Sequence, residues 1–147
     1  APGNLYGSLA PALVISGIQE ALKTTKAKCV YVANLVTKPG PTDGFSVKDF
    51  ADEIERLAAS KFLDYVVFNN DTPSKELMER YAHDGEYAVS FDMDILKKQH
   101  YQLRAAPILA KATWRGAQSA DPLVATRSFI RHDSDAVARQ LMRIYFA

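Results

Sequence analysis

The sequence alternates short runs of β-branched and aromatic residues with longer segments whose apolar residues recur at helical spacing. Residues 29–33 and 64–68 are two such runs, and the segment between them places Phe50, Ile54 and Leu57 on one helical face. Strands that alternate with amphipathic helices are typical of a mostly parallel sheet with helices on both faces. The alternation therefore predicts an α/β fold.

The same patterns predict the remaining elements. Strands are expected at 29–33, 64–68, 87–91, 107–110 and 124–130. Helices are expected at 9–14, 18–25, 46–59, 74–83, 95–100 and from 133 or 134 to 145. Ser46 and Asp49 form a capping-box-like start for the third helix, and residues 114–122 are polar and irregular. No repeat or second domain is visible, so residues 1–147 are expected to form a single α/β unit.

Composition excludes several classes of function. The 147 residues include 18 basic and 17 acidic side chains, which leaves no strong basic field for a nucleic acid. The apolar stretches are too short to span a membrane. A single cysteine, Cys29, excludes an internal disulfide and is typical of a reducing cytoplasm, so a cytoplasmic protein with an inert, buried thiol is expected.

The chain opens on a glycine-punctuated loop, Gly3 to Ser8, that leads directly into an apolar helical segment. A helix that begins after such a loop offers backbone N–H groups and a positive dipole end to a phosphate. A simple N-capped helix explains the same residues, and both interpretations stay open. In α/β proteins such a loop follows a strand, which here would lie before residue 1, so the chain is expected to be the back part of a nucleotide-binding fold.

Polar residues follow each predicted strand. In open α/β sheets, ligands bind beyond the carboxyl ends of the strands, and the residues expected there are Asn34, Asn69 to Asp71, Asp92 and Arg131 to Asp133. Turn formation or helix capping is an alternative role for each Asn and Asp. Arg131 suits a phosphate because its planar fork binds two oxygens, although an ion pair with Asp133 or Asp135 is equally consistent.

Enzymatic motifs are absent from the sequence. There is no Walker A loop, no nucleophile elbow and no dinucleotide fingerprint, so no catalytic residue is assigned. His83, His100 and His132 lack metal-ligand spacing, and no metal ligand is assigned. A water-mediated magnesium site stays open for the acidic loop residues Asp43, Asp71, Asp92 and Asp94.

Two motifs resemble those of a known family. The loop Gly3-Asn4-Leu5-Tyr6-Gly7-Ser8, followed by Pro11, is similar to Gly-Ser-Leu-Tyr-Thr-Ser…Pro in YvcK-type gluconeogenesis factors, relatives of the CofD transferases. Residues 34–46 resemble that family's Asn-Leu-Met-Thr-Gln-Pro-Gly-Glu-Thr-Asp-Gly-Phe/Tyr-Ser. Asn69, Tyr81 and residues 130–133 keep the family order, so the resemblance covers nearly the whole chain.

The resemblance implies a three-layer α/β sandwich on a Rossmann-like sheet and a nucleotide ligand. YvcK-type proteins bind a UDP-sugar such as UDP-N-acetylglucosamine, and CofD uses a guanylylated lactate donor. Tyr81 would stack on uracil, unless it is a plain core residue, and Arg131 would pair with phosphate. The residues implied to contact the nucleotide-sugar are Gly3, Asn4, Leu5, Tyr6, Ser8, Asn34, Thr37, Asp43, Asn69, Tyr81 and Arg131.

Three features depart from the family pattern. The N-terminal Gly-Gly-Gly-Thr-Gly strand–loop unit is missing, so the chain is expected to be the C-terminal portion of a larger CofD-like domain. Asn4 and Gly7 replace Ser and Thr in the loop, and residues 112–126 form a longer connection than usual.

Three functional hypotheses follow from the resemblance. The first is a non-catalytic nucleotide-sugar-binding regulator that affects carbon metabolism and cell-wall and cell-shape homeostasis. The second is a CofD-like phosphoryl-group transferase of the 2-phospho-L-lactate transferase type, which would need magnesium held by Asp43 or Asp71. The third is a structural half that binds nothing alone. Whether the chain forms a homodimer stays open.

Overall fold

The computed structural model describes residues 3–110 and 130–147, and this part of the chain contains a three-stranded parallel sheet. The strands are β1 (Val30–Val32), β2 (Tyr65–Asn69) and β3 (Gln102–Ala106), in the order β1-β2-β3. Val30 pairs with Tyr65 in β2, and Tyr65 pairs with Gln102 in β3. The carboxyl ends of all three strands therefore meet at one edge of the sheet.

Helices connect and cover the strands. A π-helical turn, Leu5–Leu9, leads into α1 (Ala10–Leu13). The other helices are α2 (Ser16–Thr24), α3 (Val47–Leu57), α4 (Lys75–His83), α5 (Met93–Leu96) and α6 (Ser134–Tyr145). The predicted helices at 18–25, 46–59, 74–83 and 133–145 are confirmed to within a few residues, whereas the predicted helix at 95–100 begins and ends earlier, as α5.

Alternate side chains of the sheet enter two separate apolar cores. One face packs Val66 and Phe68 of β2 against Phe50 and Ile54 of α3. The other face packs Tyr65 and Val67 of β2, together with Ala106 of β3, against Ala136 and Ile144 of α6. Because successive residues of a strand point to opposite faces, one short strand supplies both cores. The predicted α/β fold with helices on both faces of a parallel, Rossmann-like sheet is confirmed.

The predicted capping box of α3 is present. The Ser46 side chain accepts a hydrogen bond from the Asp49 backbone N–H, and the Asp49 carboxylate accepts one from the Ser46 N–H at 2.9 Å. Two of the N–H groups that a helix leaves unpaired at its start are thereby satisfied. This reciprocal cap fixes the point at which the chain leaves the loop 37–45 and enters the helix.

Two predicted strands are wrong. Residues 87–91 make only isolated bridges within the described part of the chain, Ala88 with Val36 and Ser90 with Ser46, and so do not form a strand. Residues 107–110 follow the third strand instead of forming it, and Leu109 makes a single antiparallel bridge with His132. The predicted irregular segment 114–122 and all but the last residue of the predicted strand 124–130 lie outside the described residues.

No helix in residues 3–110 or 130–147 is long and apolar enough to cross a membrane. Cys29 lies immediately before β1 and is half-buried. Burial raises the pKa of its thiol, and the nearby Asp64 carboxylate raises it further. Because the thiolate is the reactive form, both effects are consistent with the predicted inert role.

Candidate functional site

Asn34 lies where the chain leaves β1 and joins the opening loop to the sheet edge. Its Oδ1 accepts a hydrogen bond from the Tyr31 hydroxyl at 2.8 Å, and its backbone N–H donates to the same hydroxyl oxygen at 3.2 Å. Its Nδ2 donates to the Gly3 carbonyl oxygen at 3.4 Å. The amide oxygen of Asn34 is thus bound to the buried Tyr31 side chain, and its NH2 group is bound to the opening loop.

Asn69 performs a similar task at the end of β2. Its Oδ1 accepts from the Ile108 N–H at 3.2 Å and from the Asp71 N–H at 3.3 Å. Its Nδ2 donates to the Asp71 carbonyl oxygen at 2.6 Å. One side chain therefore ties the end of β2 to the segment that follows β3, and the predicted polar residues at these two strand ends do lie at one edge.

The segment 130–133 returns to the same edge. The Arg131 carbonyl accepts from the Ala110 N–H and the Asp133 N–H donates to the Ile108 carbonyl, both at 2.8 Å. His132 Nε2 lies 3.0 Å from the Ala33 carbonyl oxygen. A carbonyl only accepts, so Nε2 carries the proton. Burial lowers the pKa of His132, and the hydrogen bond to Ala33 opposes this only in part.

The opening loop is a capped π-helical turn. The Asn4 side chain accepts from the Gly7 N–H at 2.5 Å, and the Ser8 N–H donates to the Asn4 carbonyl at 3.1 Å. Gly3 has a φ of +136°, and a Cβ at this position would lie 2.2 Å from Ser8 Oγ. The capped-helix interpretation therefore describes the geometry, with Asn4 as the cap, and phosphate binding stays a prediction.

Leu5 and Tyr6 point in different directions from this turn. Leu5 is buried in the core below α3. The Tyr6 hydroxyl donates to Glu53 Oε1 at 2.8 Å, and this hydrogen bond is the main cause that raises the pKa of Tyr6. Arg56 binds the same carboxylate through Nε and a terminal nitrogen, at 2.6 and 2.7 Å. Tyr6 therefore anchors the turn to α3.

The loop 37–44 is held against the turn that follows α4. Thr37 is buried, and its N–H donates to the Tyr87 carbonyl at 2.8 Å while its Oγ1 accepts from the Tyr87 N–H at 3.1 Å. Lys38 forms an ion pair with Glu86. Gly85, with a φ of +72°, passes so close to Pro39 that a Cβ would lie 3.2 Å from Pro39 Cγ.

Within that loop, two side chains close the turn. Asp43 is exposed, and its Oδ2 accepts from the Gly40 N–H at 3.0 Å. Thr42 is buried, and its hydroxyl accepts from the Lys38 N–H at 2.7 Å. Thr37 and Asp43 therefore stabilise the loop in this structure, which is the structural alternative to a direct ligand contact.

Tyr81 lies in the protein interior. It is 7% exposed, and its hydroxyl accepts from the buried Ile130 N–H at 2.9 Å. Tyr81 thus joins α4 to the segment that carries Arg131, which is itself exposed. Its surroundings match the core alternative that the sequence left open.

Two neighbouring cavities lie at the carboxyl edge, and Asn34 lines both. The loop cavity has a volume of about 220 Å³ and is lined by Asn4, Leu5, Tyr6, Gly7, Asn34, Val36, Lys38, Pro41, Thr42 and Phe50. The edge cavity has a volume of about 190 Å³ and is lined by Ala33, Asn34, Leu35, Val47, Asn69, Asp71, Thr72, Pro73, Ala88, Val89, Ser90, Phe91 and Leu109.

The cavities gather some of the predicted site residues and leave others outside. The loop cavity includes Asn4, Leu5, Tyr6 and Asn34, and the edge cavity includes Asn34 and Asn69. The predicted residues that line neither cavity are Gly3, Ser8, Thr37, Asp43, Tyr81 and Arg131. Lys38, Thr42 and Phe91 line a cavity although they were not predicted as site residues. Lys38 and Thr42 lie inside the motif 34–46, and their place in that motif is the sequence feature that could have indicated them.

The acidic candidates for magnesium do not come together. Asp71 Oδ1 accepts from the Thr72 N–H at 2.9 Å, and Asp92 Oδ1 caps α5 by accepting from Asp94 N–H at 2.8 Å. Among the residues that the structure describes, no group of three or more His, Cys, Asp or Glu side chains is placed to hold a metal ion.

Comparison with known proteins identifies a matching family and several relatives. Residues 1–109 match the sequence profile of the family described as 2-phospho-L-lactate transferase CofD. A candidate gluconeogenesis factor from Thermotoga maritima is 36% identical over 97% of this chain and 42% of its own length. A gluconeogenesis factor from Listeria innocua is 28% identical over 96% of this chain and 38% of its own length. The chain therefore spans less than half the length of these relatives.

Solved structures show the same fold. A crystal structure of a UPF0052 family protein from Bacillus halodurans superimposes with a TM-score of 0.80 at 24% sequence identity. The match covers 97% of this chain and 41% of that one. The similarity extends over almost the whole chain and confirms the Rossmann-like arrangement of sheet and helices.

Proposed function

Because the chain belongs to the CofD family, we propose that it binds a nucleotide-sugar of the UDP-N-acetylglucosamine class at the carboxyl edge of its sheet. In this proposal it acts as a non-catalytic regulator in the cytoplasm, of the gluconeogenesis-factor type. Its relatives' names support a role in carbon metabolism, and we extend that role to cell-wall and cell-shape homeostasis.

The observation that carries the proposal is the pair of cavities that Asn34 lines. Their volumes are about 220 and 190 Å³, each below the roughly 300–1,000 Å³ of a typical small-molecule site. A ligand that occupies only one of them would have to be small. An extended ligand such as a nucleotide-sugar can place different parts in the two cavities, on either side of Asn34.

The polar groups at the edge suit such a ligand. The oxygens of Asn34 and Asn69 already accept hydrogen bonds, and each NH2 group has one further N–H that can donate to a base or to a sugar hydroxyl. Phe91 lines the edge cavity, is 41% exposed, and packs on buried Phe68 with ring centroids 5.0 Å apart. A partly exposed ring that is held in place from below supports stacking of a base or packing of a sugar face.

The transferase remains the second candidate, since the family description names that reaction. It would need magnesium near a donor diphosphate, and Asp71 is the acidic residue that lines the edge cavity. Its carboxylate already accepts the Thr72 N–H, and no three-residue acidic group surrounds it in the described part of the chain.

We also propose that the chain is the C-terminal portion of a larger CofD-like domain. The share of the relatives that it matches, 42% of the protein from Thermotoga maritima, supports this. In that case the remaining portion would contribute further contacts to the same ligand.

The proposal is tested by calorimetric titration of the protein with UDP-N-acetylglucosamine, UDP-glucose and GTP, with and without magnesium. We expect the UDP-sugars to bind without turnover, and Asn34→Ala to weaken binding about tenfold through loss of its side-chain N–H donor. Asn70→Ala is the matched control, because Asn70 is exposed and lines neither cavity. Absence of UDP-sugar binding would contradict the proposal, and magnesium-dependent turnover of a GTP-derived donor would favour the transferase.

A further inference from the structure

The two cavities differ in the charge of their linings. Lys38 is the one charged side chain among the described residues that line the loop cavity. Asp71 is the one charged side chain among those that line the edge cavity. An anionic group of a ligand is therefore expected in the loop cavity and an uncharged group in the edge cavity, since opposite charges attract and like charges repel.

Lys38 is held in place before any ligand arrives. Its backbone N–H donates to Thr42 Oγ1 at 2.7 Å, and the Thr42 hydroxyl donates back to the Lys38 carbonyl at 3.3 Å. Its ammonium pairs with Glu86, whose side chain is only 15% exposed, while the Lys38 side chain is 46% exposed. Lys38 thus lines the loop cavity with a partly exposed side chain whose ammonium is held by Glu86.

Two amides add donors to the same cavity. Asn4 Oδ1 accepts from the Gly7 N–H, and Asn34 Oδ1 accepts from the Tyr31 hydroxyl. The oxygen of each amide is engaged, and one N–H of Asn34 already donates to the Gly3 carbonyl, so the donors that remain are the NH2 group of Asn4 and the second N–H of Asn34. An ammonium and two amide NH2 groups around one cavity make a site for an anion that carries several oxygens, such as a diphosphate.

We infer that the loop cavity binds the diphosphate of the ligand and that Lys38 is its anion-binding, specificity-determining residue. One of the two uncharged groups that flank the diphosphate, the nucleoside or the sugar, then occupies the edge cavity. The assignment of this anion to a nucleotide-sugar rests on the function proposed above, but the anion site itself depends only on the lining of the loop cavity.

The experiment compares the wild-type protein with Lys38→Gln, which keeps the length and polarity of the side chain and removes its charge. Calorimetric titrations use UDP-N-acetylglucosamine, UDP, uridine and inorganic pyrophosphate. Lys48→Gln is the matched control, because Lys48 also forms an ion pair, with Asp52 on α3, and lines neither cavity. We expect Lys38→Gln to weaken UDP, UDP-N-acetylglucosamine and pyrophosphate about tenfold. Uridine should bind equally to both variants and the wild type.

Salt provides a second readout. The affinity of the wild type for UDP should fall as the salt concentration rises, because salt screens the attraction between Lys38 and the diphosphate. The affinity of Lys38→Gln should fall less, because this variant lacks that attraction. Equal affinities of wild type and Lys38→Gln for UDP and pyrophosphate would overturn the inference, as would an equal loss for uridine. If pyrophosphate binding depends on Lys38 but no UDP-sugar binds, the anion site stands and the proposed nucleotide-sugar function fails. If UDP-N-acetylglucosamine binds equally well to the wild type and to Lys38→Gln, the inference about Lys38 fails and the proposed nucleotide-sugar binding stands.

Discussion

His132 donates from Nε2 to the carbonyl oxygen of Ala33 at 3.0 Å, although 99 positions separate the two residues in the sequence. This hydrogen bond joins the segment that follows β1 to the segment that precedes α6, at the carboxyl edge of the sheet. Because Asn34 comes next to Ala33 and lines both cavities, the position of the C-terminal segment is coupled to the candidate ligand site.

The first prediction concerns pH. Burial lowers the pKa of His132 in the folded protein below its ordinary value of about 6.5. The unfolded chain therefore binds a proton at a pH where folded His132 is still neutral, and stability rises with pH in that interval. We expect the free energy of unfolding to fall as pH decreases through about 6.5 toward the folded pKa. Urea denaturation at several pH values measures it.

His132→Gln supplies the control for this effect, because its amide retains a donor but does not titrate. The variant should lose the His132 contribution to the pH dependence and keep the remainder. An NMR titration that placed the pKa of the His132 imidazole above about 6.5 would contradict the prediction.

The second prediction concerns Tyr81. Tyr81→Phe removes the acceptor that the buried Ile130 N–H uses at 2.9 Å. A lost buried hydrogen bond typically costs about 1–2 kcal/mol, so the free energy of unfolding should fall by about that amount. Chemical denaturation checks this, with Tyr87→Phe as the control because Tyr87 is 54% exposed. Equal stability of the two variants would show that the Tyr81 hydroxyl does not hold the segment.

The third prediction concerns the turn after α4. Gly85 has a φ of +72° and approaches Pro39 closely, so Gly85→Ala should reduce the free energy of unfolding by about 1–2 kcal/mol. Gly17→Ala, in α2, meets no atom within 4 Å and should raise it by up to about 1 kcal/mol. Thermal denaturation of the two variants distinguishes these opposite signs. A stabilising Gly85→Ala would contradict the described backbone.

The fourth prediction concerns Glu55, which is 7% exposed in α3. Its Oε1 accepts from the buried Leu63 N–H at 3.0 Å and lies 2.9 Å from His100 Nε2. Glu55→Ala should lower the free energy of unfolding by about 1–3 kcal/mol, because it leaves the Leu63 amide without this acceptor. Glu20→Ala on exposed α2 should have little effect. A similar, small change for both variants would argue against a structural role of Glu55.

The sequence predicted those elements whose apolar pattern coincides with their burial. β2 is buried along almost its whole length, and α3 carries a regular apolar face with a recognisable cap, so both are visible in the pattern. β3 was missed because it contains Gln102 and Arg104. Arg104 lies over the Tyr65 ring, 5.5 Å from its centroid, and pairing with β2 makes this polar segment a strand. Such pairing is a tertiary effect that local composition does not contain.

In the candidate site, too, some residues could be predicted from the local sequence and others depend on tertiary contacts. Asn34 and Asn69 were predicted because they follow strands that the sequence shows clearly, and the structure places both at the carboxyl edge. Lys38 was not predicted, and its ion pair with Glu86, 48 positions away, is a tertiary contact that the local sequence does not contain. The sequence left two roles for Tyr81, a core residue or a ligand contact. Its hydrogen bond with the Ile130 N–H, 49 positions away, is visible only in the structure.

An amide NMR titration with UDP-N-acetylglucosamine tests the central claim most directly, because it locates the ligand on the protein. We expect saturable shifts of the Asn34 side-chain NH2 group together with Gly7 and Lys38 in the loop cavity and Phe91 in the edge cavity. Residues such as Gly17 in α2 should not shift. No saturable shift at Asn34, or shifts confined to surfaces away from both cavities, would contradict nucleotide-sugar binding at this edge.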